Sequence, residues 1–137
     1  MSFVVDSSIA LTWCFADEAT EAADALLVRL VHDGAHAPSL WPLEVLNVLM
    51  AAQRRGRMSS QERQERIALL HALPITIDTE TAAQAWTISN LLAERHGLTL
   101  YDAAYLELAQ RLDLPLATLD ADLRLAANAL GVRVVGS

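Results

Sequence analysis

Lysine is missing from this 137-residue chain, because every one of its 10 basic residues is an arginine. A lysine-bearing phosphate loop and Schiff-base catalysis both depend on that amine, so neither is open to it. Cysteine is almost as scarce. The lone Cys14 has no partner for an internal disulfide, and its place between Trp13 and Phe15 reads as a buried structural thiol. A reducing compartment is therefore expected. With 5 Gly and 4 Pro, the composition rules out collagen-like and disordered classes. No uncharged apolar run reaches the roughly 20 residues that span a bilayer. Asp6 interrupts the first apolar residues and no basic stretch precedes them, which argues against a secretory signal. These absences together lead to a cytoplasmic placement.

What is present is a chain with 53% hydrophobic and 20% charged residues, of a size that fits one domain over residues 1–137. Its formal net charge of −7 argues against indiscriminate nucleic-acid binding. The charge is uneven. Residues 1–50 carry one Arg against seven acids, whereas residues 51–66 carry Arg54, Arg55, Arg57, Arg63 and Arg66 against Glu62 and Glu65. That run is either a solvated helical connection or a contact for a phosphate backbone, with Arg54, Arg55 and Arg57 as the candidates.

Short apolar runs alternate with longer amphipathic ones, the pattern of an α/β protein with a mainly parallel sheet. Five strands are expected: Phe3-Val4-Val5, His36-Ala37, Ile75-Thr76-Ile77, Leu116-Ala117-Thr118 and Val132-Arg133-Val134-Val135. Helical core faces are marked by Ala23, Leu26, Leu27 and Leu30, and again by Tyr101, Ala104, Tyr105, Leu108 and Leu112. Pro42 suits a helix start, Ser59 with Glu62 a capping box, and Gly97 and Gly131 helix ends. Core packing is the expected role of Trp13, Trp41 and Trp86, with a subunit contact as the alternative.

The informative acids stand next to strand and helix ends. Asp6 follows the first strand, Asp120 follows the fourth, Asp102 opens a helix and Glu44 lies in the first turn of another. Each has a structural explanation on its own: Asp6 and Asp120 as N-caps, Asp102 in a capping box with Thr99, Glu44 at the positive end of a helix. If the chain adds strands first on one side of strand one and then on the other, strands one and four become neighbours at the topological switch point, where open α/β sheets bind ligands. The four acids would then share one cleft, tolerable only if protonated or neutralised by a cation. Oxygen donors of this kind favour Mg²⁺ or Mn²⁺ over zinc. His32 and His36 are separated by Gly34, and His71 and His96 read as helix-end residues, so no histidine site competes.

Four segments carry a family resemblance: Val4-Val5-Asp6-Ser7-Ser8, Glu44-Val45-Leu46-Asn47-Val48-Leu49, Leu98-Thr99-Leu100-Tyr101-Asp102-Ala103-Ala104-Tyr105 and Leu116-Ala117-Thr118-Leu119-Asp120-Ala121-Asp122-Leu123. In this order and spacing the chain resembles a PIN-domain ribonuclease of the VapC toxin type, from type II toxin–antitoxin pairs. The resemblance implies a PIN-like three-layer αβα fold with strand order 3-2-1-4-5. It also implies one or two Mg²⁺ or Mn²⁺ ions held by Asp6, Glu44, Asp102 and Asp120, with Ser8, Asn47 and Thr118 orienting those ligands or the substrate. Asp122 either adds to this set or caps the following helix. The implied activity is metal-dependent hydrolysis of RNA, such as tRNA, by a homodimeric toxin that a VapB-like antitoxin neutralises.

Two other readings use the same acids. A Mg²⁺-dependent phosphotransfer protein would need a lysine beside the phosphoryl group, and a second aspartate two positions after Asp6 where Ser8 stands. A non-catalytic PIN-like module would hold a basic peptide in the acidic pocket and show no RNA cleavage at any metal concentration.

Overall fold

A computed structural model describes residues 1–137. The chain runs β1 (Val4–Val5), α1 (Ser7–Thr12), a 3₁₀ turn (Ala16–Glu18), α2 (Glu21–Asp33), β2 (Ala35–Ala37), α3 (Trp41–Arg54), α4 (Ser60–Ala72) and β3 (Ile75–Ile77). It continues through α5 (Thr81–Gln84), a π-helical segment (Ala85–Ser89), α6 (Asn90–His96), α7 (Leu100–Leu112), β4 (Leu116–Ala117), α8 (Ala121–Ala129) and β5 (Val134–Val135). The five strands form one sheet in the order β3-β2-β1-β4-β5, and every neighbouring pair is parallel. Helices flank it in a three-layer αβα arrangement. The strand order expected from the resemblance is the one observed, and strands one and four are neighbours. No helix is long and apolar enough to cross a membrane.

The strands are short, and three of them are trimmed relative to the apolar runs that announced them. Phe3 lies just outside β1, Thr118 just outside β4, and Val132 and Arg133 precede β5, while β2 gains Ala35. Their interiors are dry: Phe3, Val4, Val5 and Leu116 are fully buried, as expected for a parallel sheet covered on both faces. Helix ends follow the sequence punctuation. Ser59 and Glu62 make the full capping box of α4, and Gly97 ends α6 in the left-handed conformation; the Thr20 cap of α2, through the Ala23 amide, is not among the expected ones.

Two expectations fail. Tyr101 is 65% exposed, in the first turn of α7, where burial begins only at Ala103. The rest of that helix is more buried than its stripe suggested, with Ala103 through Ala109 all inside. Trp86 is 87% exposed. It sits in the π-helical segment, of which only Ser89 is buried. Trp41 is buried, and Trp13 donates its Nε1–H to the Ala23 carbonyl at 2.9 Å.

Candidate metal and active site

The register of β1 against β4 pairs Val5 with Ala117, so the next residues on each strand, Asp6 and Thr118, leave the sheet side by side. The Asp6 amide donates to the Ala117 carbonyl at 3.0 Å and carries the pairing one step beyond the strands. Asp6 occupies the N-cap position of α1, yet its carboxylate makes no capping bond. Its Oδ2 instead accepts hydrogen bonds from Ser8 Oγ and Thr118 Oγ1, both at 2.7 Å. Thr118 Oγ1 also accepts the Asp120 amide at 3.1 Å, and Ser8 Oγ accepts the Leu119 amide at 3.0 Å. These bonds tie the start of α1 to the segment after β4 with Asp6 at the centre, only 4% exposed.

Asp120 is the N-cap of α8, accepting the Leu123 amide on Oδ1 at 2.9 Å. This corrects the alternative in which Asp122 caps that helix: Asp122 lies inside the first turn, exposed, and the cap is already filled. Thr99 caps α7 by accepting the Asp102 amide, which leaves Asp102 in the first turn and half-buried. Glu44, in the first turn of α3, accepts a hydrogen bond on Oε1 from the Tyr105 hydroxyl of α7. Asn47 is exposed one turn further along α3, on the face that carries Glu44.

The electrostatics are those of like charges brought together. Burial, then the charges of Asp120 and Asp6, push the Asp102 carboxyl up from 3.8 to about 6. Burial raises Glu44 as well, opposed by the Tyr105 hydrogen bond and reinforced by Asp6 and Asp102. The ion pairs of the molecule involve Asp17, Glu18, Asp33, Asp78, Glu80 and Glu107, and none of these four acids. Glu44 and Asp102 stand in the first turns of α3 and α7 and Asp120 at the N-cap of α8, positions where the helix dipole favours negative charge. Such a donor set, all oxygen and outside every ion pair, suits a hard divalent ion. As the side chains stand, no three His, Cys, Asp or Glu residues close on a single ion position. Asp6 Oδ2, Asp120 Oδ1 and Glu44 Oε1 are committed to hydrogen bonds, and Glu44 Oε2 and Asp120 Oδ2 carry none.

Arg124 of α8 donates to the Thr118 carbonyl at 2.7 Å beside the site, whereas the arginines of residues 54–57 lie elsewhere. Arg54 and Arg55 are exposed at the C-terminal end of α3, about 15 Å along the helix from Glu44 at 1.5 Å per residue. Arg57 is engaged internally, bonding Asp17 and Glu18 at 3.0 and 2.9 Å and stacking over the Phe15 ring at 4.0 Å. Tyr105 is the site residue that its sequence position concealed, since it belongs to a core stripe. The available signal was chemical: a tyrosine at a core position needs a partner for its hydroxyl.

An apolar groove of about 180 Å³ runs beside the start of α3, lined by Trp41, Pro42, Val45 and Leu46 from that helix, and by residues of α4 and β3.

Comparison with known proteins gives one consistent answer. The sequence matches the PIN domain family over residues 3–129. It is 30% identical to ribonuclease VapC3 of Pyrobaculum aerophilum, over 90% of this chain and 92% of that protein. It is 36% identical to ribonuclease VapC1 of Mycobacterium tuberculosis, over 80% of each. Among solved structures, VapBC2 of Rickettsia felis bound to a DNA fragment from its promoter shares the fold, with a TM-score of 0.64 and 11% identity over 98% of this chain and 97% of that one.

Proposed function

From the premise that this chain is a PIN-domain protein of the VapC ribonuclease type, we propose that it is an endoribonuclease toxin, dependent on Mg²⁺ or Mn²⁺ and held in check by an antitoxin. The observation that supports the reading is the mutual charge repulsion of four acids from four parts of the chain, beyond the C-terminal ends of β1 and β4, none of them in an ion pair. Asp6, Glu44, Asp102 and Asp120 are the proposed ligands and catalytic groups.

A bound divalent ion would supply Lewis acidity toward the phosphodiester and a water of lowered pKa. The chain's own part is to hold and to orient. Ser8 and Thr118 fix Asp6 through its Oδ2, and Tyr105 holds one oxygen of Glu44. A carboxylate of the set would accept the proton of the attacking water. In-line attack on phosphorus expels the 3′ oxygen and leaves 5′-phosphate and 3′-hydroxyl ends. Asn47, exposed on the Glu44 face, is placed to orient substrate, and Asp122 adds negative charge at the rim.

The substrate we propose is a structured RNA such as tRNA, with Arg54 and Arg55 as distant backbone contacts. The antitoxin is expected to lay an apolar segment in the groove beside α3 and to extend a basic side chain toward the carboxylates. The toxin itself is proposed to act as a homodimer in the cytoplasm.

The test is cleavage of RNA with Mg²⁺ or Mn²⁺ by wild type and Asp6→Asn. We expect the variant to fold and to lose metal-dependent cleavage. Undiminished cleavage by the variant would remove the carboxylate site from the chemistry. A wild type that binds a basic peptide and cleaves no RNA at any metal concentration would favour the binding module.

A further inference from the structure

We propose that Tyr105 is the positioning residue for Glu44, holding that carboxylate at the metal site; the inference rests on the metal-dependent reading above. Tyr105 is fully buried on α7, and its hydroxyl donates to Glu44 Oε1 across 61 residues of chain. A glutamate is a flexible ligand. Glu44 stands in the first turn of α3 with open solvent on one side, and Asp6 and Asp102 repel it. Left alone, repulsion and side-chain entropy both favour swinging the carboxylate outward. The tyrosine opposes both, because its ring is locked in the core and its donor points at a single acceptor.

Three features make this an organised arrangement. Only Oε1 is occupied, so Oε2 stays free for a cation. Asp102 lies three residues before Tyr105 on the same helix, so one face of α7 presents an acid of the site and the donor that orients another. The deepest acid, Asp6, is held in the same manner by hydroxyls from other parts of the chain. Each of the two is therefore fixed by a neutral donor that adds no competing cation, as outer-shell partners of metal ligands commonly are.

The experiment is calorimetric titration of Mn²⁺ into wild type, Tyr105→Phe, Glu44→Gln and the double variant. Leu108→Ala, a buried substitution on the same helix, controls for general loss of stability. Removal of the hydroxyl is expected to weaken Mn²⁺ binding about 10-fold and to add nothing in the Glu44→Gln background. Leu108→Ala is expected to lower the melting temperature and leave the affinity near wild type. Wild-type affinity in Tyr105→Phe overturns the inference alone. So does a loss that persists undiminished in the double variant, or an equal loss in Leu108→Ala. A wild type that takes up no Mn²⁺ overturns the metal reading together with it.

Discussion

Asp102 is the residue on which the opposing forces of the site are most visible. Its carboxyl is pushed up from 3.8 to about 6 by burial and by the negative charges of Asp120 and Asp6. A carboxyl raised in this way contributes to stability below its ordinary value and withdraws that contribution as pH rises from about 4 through 6. In chelator, the wild type should therefore lose melting temperature across that interval. Asp102→Asn should flatten the loss and melt higher than wild type at pH 7.5, while forfeiting the stabilisation that added Mg²⁺ gives the wild type. Thermal melts of both proteins with EDTA and with Mg²⁺ check this, and a variant that melts lower in EDTA contradicts it. The acids stood out in the sequence as an ordered set at strand and helix ends, since each alone also reads as a cap or a helix-dipole residue. Tyr105 did not, because the destination of a buried phenol depends on a helix far away in the chain. Cys14 fits its sequence reading: it is 3% exposed, and burial pushes the thiol up to about 11, which removes it as a nucleophile.

At the scale of elements, the segment after β3 is fastened to α7 by one arginine. Arg111 bonds Glu107 on its own helix at 2.8 Å, and reaches Asp78 at 2.8 Å and Glu80 at 3.2 Å beyond β3. Glu107 is only 4% exposed, so removing the guanidinium strands a buried carboxylate. Arg111→Met should cost about 3 kcal/mol in urea unfolding, and Glu107→Gln in the same chain should recover part of it. A change within about 0.5 kcal/mol would mean that Arg111 is no more than a surface residue. The elements themselves were largely readable. Short runs located all five strands, the apolar stripe from Ala23 to Leu30 located α2, and capping located the start of α4 and the end of α6. Strand ends were overestimated, because a hydrophobic run records burial whereas a strand also needs a neighbour to pair with. The π-helical segment left no mark in the periodicity, since one wide turn disturbs the pattern for only a few residues.

For the whole molecule, the net charge of −7 has a definite location: part of it is the candidate site, and part is drawn into the Arg57 and Arg111 ion pairs. Exposed apolar surface is the more telling global property. Trp86 shares a surface hollow with Ala85, Asn90 and Leu100, directly before Tyr101 and Asp102 in the chain. Exposed aromatic surface of this kind is enriched at protein contacts. For the homodimer proposed above, Trp86→Asp should give a sedimenting 14.9 kDa monomer that remains folded. If the variant sediments as wild type does, the pairing face lies elsewhere, and Val28 and Val31 on α2 are the next exposed apolar residues to replace.

The wide turn that presents Trp86 also bears on how such a face comes and goes in evolution. A π turn absorbs one additional residue while the helix on either side keeps its orientation, so the packing of α5 and α6 against α7 need not change with it. The outward indole can thus be replaced without rebuilding the scaffold that carries the acids, because so little of it is packed.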